Sequence, residues 1–386
     1  MRVFVIAGEL SGDKLGGALM AGLKQLSPGV VFDGVGGPLM QAQGLQSRFD
    51  MTELSVMGLA EILPKYMDLR ARLHQMIAAV LETKPDVLIT IDSPDFCLRV
   101  AKGVKAKADI PTIHYVAPTV WAWRPGRAAK MAKHIDHVLA LFPFEPPYMQ
   151  KAGMTCDFVG HPVTQEPVAT AAEARAFRAK HGVTGPMVLA LPGSRRGEVS
   201  RLSARFGAAL DQVATMHPDA TFVVPCAEPV MALVREETLA WPITPILIPG
   251  HAAASKRAAF KAADVALAAS GTVSLELAAN DTPMVIAYDM APLSRIIIRR
   301  MLRVDTVTLV NLVSDTRTVP EFIGKDCVPD AIAESVIATL AAPDAQRDAM
   351  QVTMERLGRD AEEPGLRAAR SVLSALEKPS IQDEQA

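Results

Sequence analysis

A repeated alternation of short apolar runs with longer amphipathic stretches constrains this chain more than any other feature. The runs Val3–Gly8, Val30–Gly37, Asp86–Ile91, Ile113–Val116 and His137–Leu141 are each followed by a segment long enough for a helix. The rhythm returns at Met187–Leu191, Thr221–Val224, Ile246–Ile248, Val265–Ala268 and Met284–Ala287. Short continuous apolar runs fit strands buried on both faces, and strands alternating with helices build parallel sheets. A chain of 386 residues carrying this pattern twice has room for two domains. The predicted fold class is α/β, with two Rossmann-like, doubly wound parallel-sheet domains over 1–165 and 175–360 and a cleft between them. The stretch from Pro162 to Ala174, rich in Pro, Thr, Ala and Glu, reads as the linker. From Asp330 the pattern is helical, and 361–386 reads as a closing helix with a polar tail, EKPSIQDEQA, that frays.

Charge and cysteine content exclude several functions. Forty Lys and Arg against 42 Asp and Glu leave no global basic field, so no nucleic-acid partner is expected. Cys97, Cys156, Cys226 and Cys327 are scattered without a CxxC pair, which suits a reducing cytoplasm better than a disulfide framework or a zinc site. The apolar run after Met1-Arg2 is too short for a signal peptide, and none is long enough to span a bilayer. A soluble or peripheral protein is expected.

Two loops in the second half carry phosphate chemistry. Met187–Leu191 empties into Pro192, Gly193, Ser194, Arg195 and Arg196, so a buried strand ends in a tight turn tipped with guanidinium groups. Ligands of open α/β sheets sit at the carboxyl ends of strands, and the guanidinium fork matches phosphate oxygens. An ordinary surface loop with solvated arginines is the competing reading of this stretch alone. The second loop is Ser270-Gly271-Thr272, between a strand and a helix that carries Glu276 about one turn in. Free N–H groups at such a turn favour phosphate, and Glu276 is placed to accept from ribose hydroxyls; a plain capping box is the competing reading.

In the first half, Gly8, Gly12, Gly16 and Gly17 mark a strand-to-helix turn without GxGxxG spacing, so no dinucleotide is implied. Ser11 and Asp13 there are also candidate caps. Asp92 and Asp95 flank Pro94 at the end of a buried strand. Trp121, Trp123, Arg124 and Arg127 follow His114 and Tyr115, and His161 stands at the domain junction. One tryptophan can be core, and a junction histidine is more often a hydrogen-bonded structural residue than a catalyst, though its position leaves it within reach of the cleft.

Taken in order, GELSGD (8–13), IDSPDF (91–96), VWAWRPGR (120–127), GHP (160–162), LPGSR (191–195), SGTVSLE (270–276) and the run from Asn311 to Glu321 resemble the lipid-A-disaccharide synthases, glycosyltransferases of the GT-B fold. The resemblance covers nearly the whole chain. It departs where the family has a Gln shortly after VPE and this chain has Ile323-Gly324. The resemblance implies an inverting transfer of 2,3-diacylglucosamine from its UDP derivative to 2,3-diacylglucosamine 1-phosphate (lipid X), giving the β-1,6 lipid A disaccharide 1-phosphate and UDP. A UDP-sugar epimerase of the same fold and a non-catalytic, nucleotide-sensing peripheral protein are the rival readings.

The transfer needs a base for the acceptor hydroxyl and stabilisation of the leaving diphosphate. Asp95, farther out on its turn than Asp92, is the expected base, and Arg195 the expected charge stabiliser; both aspartates as turn formers is the competing reading. Nucleotide binding is assigned to Ser194, Arg195, Ser270, Gly271, Thr272, Glu276 and Asn311. The acceptor side of the cleft is assigned to Ser11, Asp13, Trp123, Arg124, His161 and Glu321. No DxD pair is present, so neither a metal nor a cofactor is expected. Lipid substrates imply contact with the cytoplasmic face of the inner membrane. Met57, Leu59, Ile62, Leu63 and Met67 form the expected patch, with Lys65, Arg70 and Arg72 beside it and Pro64 able to open a helix. Arg295–Arg303 is a second candidate. In the family, helices near Pro364–Leu376 pack on a partner subunit, which implies a homodimer; folding back on the same chain is the other option.

Overall fold

The computed structural model describes residues 1–54, 59–124, 126–290 and 303–377, and for 59–66 the backbone alone. The chain divides into two compact units. One comprises 1–162 together with 360–386, the other 163–359.

The first unit is built on six parallel strands, β1 (Arg2–Ala7), β2 (Val31–Val35), β3 (Val87–Ile91), β4 (Thr112–Tyr115), β5 (His137–Ala140) and β6 (Thr155–Phe158), in the order β2-β1-β3-β4-β5-β6. Its helices are α1 (Leu10–Leu26), α2 (Pro38–Ala42), α3 (Leu59–Thr83), α4 (Pro94–Lys105), α5 (Gly126–Met131) and α6 (Pro146–Gln150). Helix α3 begins at Leu59, so Pro64 lies inside it and does not open it; lacking an N–H, it forgoes one ladder bond there.

The second unit has α7 (Ala171–Lys180), β7 (Met187–Leu191), α8 (Arg196–Met216), β8 (Thr221–Pro225), α9 (Met231–Thr238), β9 (Ile246–Ile248), α10 (Ala253–Ala262), β10 (Val265–Ala268), α11 (Val273–Ala279) and β11 (Met284–Tyr288). After these come α12 (Leu309–Ser314), β12 (Glu321–Ile323), α13 (Pro329–Ala341) and α14 (Asp344–Arg356). The strands are parallel in the order β12-β11-β10-β7-β8-β9. Strands β7 and β10 are buried along their whole length, as central strands covered on both faces must be.

The segment read as a linker is more ordered than its composition suggests. It holds a short 3-10 turn, Pro162–Gln165, and the start of α7. Thr170 and Glu173 form a reciprocal capping box there, with the Glu173 N–H donating to Thr170 Oγ1 and the Thr170 N–H to Glu173 Oε2.

The closing helix, α15 (Pro364–Glu377), belongs to the first unit and lies on α1 of its own chain. Glycine permits the approach: a methyl group at Gly22 would stand 2.7 Å from the Gly365 carbonyl oxygen. Ser371 Oγ lies 2.8 Å from His137 Nε2 and donates to Asp157 Oδ2 at 2.7 Å, while Arg367 donates to the Phe158 carbonyl at 2.8 Å. The expected separate C-terminal region is thus a layer of the first unit. All four cysteines are buried.

Candidate functional site

In each sheet the chain reverses its winding at one place, and ligands of doubly wound sheets collect at the carboxyl ends of the two strands there. In the second unit the reversal lies between β7 and β10, with Leu191 in register with Ala268 and the Ala269 N–H donating to the Leu191 carbonyl at 2.8 Å. The two loops singled out for phosphate, 192–195 and 270–272, therefore leave neighbouring strands side by side. The sequence places each loop at a strand end; the strand order makes them one site.

Local chemistry explains the first loop. Gly193 has φ +126°, and a Cβ there would stand 2.5 Å from Glu198 Cβ, so glycine is required on both counts. Arg195 occupies the N-cap position of α8. The Glu198 carboxylate accepts from the N–H groups of Ser194 (3.1 Å) and Arg195 (3.3 Å) and pairs with Arg195 Nη1 at 3.3 Å. Tyr288, at the end of β11, has its hydroxyl pushed up by partial burial and by the nearby Glu198 charge. In the second loop, Gly271 and Thr272 are exposed and Ser274 Oγ donates to the Gly271 carbonyl at 2.8 Å. Glu276 is half-buried and carries Lys256 Nζ at 2.8 Å, a pairing the sequence reading missed because Lys256 comes from α10.

Asn311 and Glu321 each hold backbone groups in place. Asn311 is 1% exposed, donates to Thr306 Oγ1 and the Val319 carbonyl, and accepts from the Val319 N–H. Its amide holds the chain before β12. Glu321 Oε1 accepts from the N–H groups of Val307 and Thr308, closing the amino end of α12.

In the first unit the reversal lies between β1 and β3, with Ala7 in register with Ile91. GELSGD and IDSPDF therefore also leave neighbouring strands. Asp92 and Ser93 are consecutive left-handed residues (φ +51° and +41°), a conformation that costs non-glycine residues of order 1–3 kcal/mol each and clusters at functional sites. Among the described residues the buried Ser93 hydroxyl has no partner, and a Cβ at Gly8 would lie 2.6 Å from it. Asp92 Oδ2 accepts from Ser11 Oγ at 3.4 Å, which joins the two motifs. Asp95 is exposed in the first turn of α4 and, among the described residues, makes no side-chain hydrogen bond or ion pair. Glu9, which the sequence reading passed over, is the N-cap of α1 on the same edge.

Asp13 is 2% exposed and accepts from the N–H groups of Leu39 and Met40, both at 3.0 Å. It caps α2, not its own helix. Trp123 donates from Nε1 to Thr119 Oγ1 at 2.9 Å and carries the Arg124 guanidinium 4.5 Å from its ring centroid. His161 is buried beside Phe142, and burial, with Lys14 nearby, holds its pKa down at about 4, so its ring is neutral at pH 7.

Met57 lies outside the described residues, as do the side chains of Leu59, Ile62, Leu63 and Lys65 and the segment 291–302. Met67 is 69% exposed. Arg72 is tied bidentately to Glu53 at 2.8 Å and packs over Phe49, so its charge is already matched.

Comparison with known proteins gives this geometry a family. The family model described as Lipid-A-disaccharide synthetase matches residues 3–375. A lipid-A-disaccharide synthase of Ruegeria pomeroyi is 61% identical over 383 residues, covering 97% of this chain and 96% of that protein. One of Rhodospirillum centenum is 48% identical over 392 residues, covering 100% and 97%. Among solved structures, UDP-GlcNAc 2-epimerase from Neisseria meningitidis bound to UDP-GlcNAc matches with a TM-score of 0.64 at 12% identity, covering 98% of this chain and 100% of that one, a likeness of fold alone. Two parallel six-stranded sheets with flanking helices make this a two-domain α/β protein of the GT-B fold. By a match that runs almost from end to end, the chain belongs to the lipid-A-disaccharide synthase family.

Proposed function

We propose that this protein is an inverting glycosyltransferase. It moves 2,3-diacylglucosamine from UDP to the 6-hydroxyl of 2,3-diacylglucosamine 1-phosphate, forming the β-1,6 lipid A disaccharide 1-phosphate and UDP. The observation that carries the reading is the family match over residues 3–375. The second unit takes the UDP-sugar: Ser194, Arg195 and the turn 270–272 serve the diphosphate, and Glu276 serves the ribose once Lys256 yields it. The first unit takes the acceptor, with Asp95 as the general base and Ser11, Trp123, Arg124 and His161 on the acceptor side. A neutral His161 donates or accepts a hydrogen bond without adding charge. Arg195 meets the growing charge on the leaving diphosphate, and the step balances without a metal: the hydroxyl proton goes to Asp95 as the new C–O bond forms and the bond to UDP breaks.

Purified protein given both lipid substrates should yield disaccharide and UDP in equal amounts, with and without EDTA. Turnover of a water-soluble UDP-sugar alone would favour an epimerase, and UDP binding without product a sensor. We also place the protein on the cytoplasmic face of the inner membrane through Met57, Leu59, Ile62, Leu63 and Met67, as a homodimer. None of its helices, among the described residues, is long and apolar enough to cross a membrane. Leu59→Glu with Ile62→Glu should reduce partitioning onto anionic vesicles more than tenfold, since fully burying one such side chain is worth about 1.5–3 kcal/mol. A well-folded variant that binds vesicles like wild type would refute the patch.

A further inference from the structure

The loop that presents Arg195 is backed by a carboxylate from its own helix. Glu198 stands one turn into α8, with its side chain 12% exposed against 65% for that of Arg195. One carboxylate oxygen takes the N–H groups of Ser194 and Arg195, and the other takes Arg195 Nη1. The carboxylate sits behind the loop and the guanidinium faces solvent. Arg has five N–H donors. Among the described residues only Glu198 receives one, so the rest of the fork stays available to an anion. The close approach of Gly193 to Glu198 Cβ leaves the carboxylate little freedom.

We propose that Glu198 is a positioning residue for the glycosyl transfer: acting through Arg195, it aims the guanidinium at the donor diphosphate. The proposal rests on the reading of the second unit as the UDP-sugar unit. An exposed ion pair contributes little to folding stability, so this one expresses itself in orientation. A free arginine has many rotamers to lose on meeting a ligand, and Glu198 removes part of that loss beforehand. Charge grows on the diphosphate as its bond to the sugar breaks, so a fixed fork matters more to turnover than to UDP affinity.

Glu198→Gln keeps an oxygen for the two backbone N–H groups and replaces the oxygen that holds Arg195 with an uncharged NH2 group that cannot accept from it. It should melt close to wild type, bind UDP within about threefold of it, and lose about tenfold in kcat at saturating donor. Arg195→Ala should lose about a hundredfold in kcat. The double variant Arg195→Ala with Glu198→Gln should lose no more than Arg195→Ala alone, because no fork is left to aim. Losses that multiply, or full turnover in Glu198→Gln, overturn the proposal. Glu198→Ala removes the loop bonds as well; if it fails to fold, Glu198→Gln still decides. A wild-type protein that does not bind UDP in calorimetry defeats the reading of the second unit and this proposal with it. Wild-type UDP binding, an Arg195-dependent kcat and multiplying losses defeat the Glu198 role alone.

Discussion

Carboxylates of one type serve opposite ends in this protein, and only their partners tell them apart. Asp13 and Glu321 each accept two backbone N–H groups, whereas Asp95 stands exposed at the reversal point of its sheet without a partner among the described residues. A base must be free to take a proton, so Asp95→Asn should lower turnover by about 10²–10⁴-fold. UDP binding, assigned to the other unit, should be unchanged in calorimetry; near-normal turnover would remove Asp95 from the mechanism. Asn311 gives the contrasting case. Asn311→Ala leaves the buried N–H and carbonyl of Val319 unpaired, and each such orphan costs about 1–3 kcal/mol. Its melting temperature should fall while the folded protein binds UDP normally; a stable variant with weak UDP binding would return Asn311 to the nucleotide. In the sequence these residues look alike because a capping group and a ligand-binding group use the same side chains. What separates them is a backbone N–H supplied from far along the chain: for Asp13 it comes from residues 39 and 40.

At the scale of the elements, strands that carry an apolar run were legible, the edge strands β2 and β9 among them, and the edge strands β6 and β12 were not. Met187–Leu191, Ile246–Ile248 and Val265–Ala268 are strands with the bounds their apolar runs suggest. Strands β6 and β12, TCDF and EFI, escaped because an edge strand needs no continuous apolar run; β12 is only half-buried throughout. The order of the strands, which brings LPGSR beside SGT and GELSGD beside IDSPDF, is a long-range fact that no local pattern carries. Neither does the string disclose the loop after β5. There Glu145, 2% exposed, accepts from the N–H groups of Leu141 and Phe142, and burial pushes its pKa up to about 8 against those two bonds. The folded state therefore holds a proton that the unfolded chain releases near its ordinary value of 4.5. This group's contribution is complete below that value and fades as pH rises through about 8. Glu145→Gln keeps the acceptor oxygen and removes the titration. It should melt like wild type at pH 5 and several degrees higher at pH 9. Parallel melting curves for the two proteins across that range would show that the carboxyl is not held protonated.

At the scale of the whole molecule, the chain leaves the first unit after Pro162, builds the second, and returns at Asp360 to finish the first. The first unit is thus covered partly by its own early helices and partly by α15, which the chain adds on its return. Through α15, Ser371 bridges β5 and β6, and Arg367 reaches the end of β6. Three bonds from side chains of one helix, the close approach of Gly22 to Gly365, and the buried Ala368, Ala369 and Val372 make α15 integral to that unit. Deleting residues 364–386 should uncover the apolar face of α1 and leave His137, 4% exposed in the intact unit, without its Ser371 partner. The second unit, with its own sheet and core cluster, is untouched by the deletion. Calorimetry should accordingly show the melting of the first unit moved down or lost while the transition of the second persists. Titration with UDP should give an affinity like that of the intact protein. Glycosyl transfer, for which Asp95 in the damaged unit is the proposed base, should disappear. A deletion variant that melts as one unchanged transition and still forms disaccharide would mean that α15 is dispensable to the unit it covers. One that loses UDP binding along with transfer would mean that the two units do not stand alone.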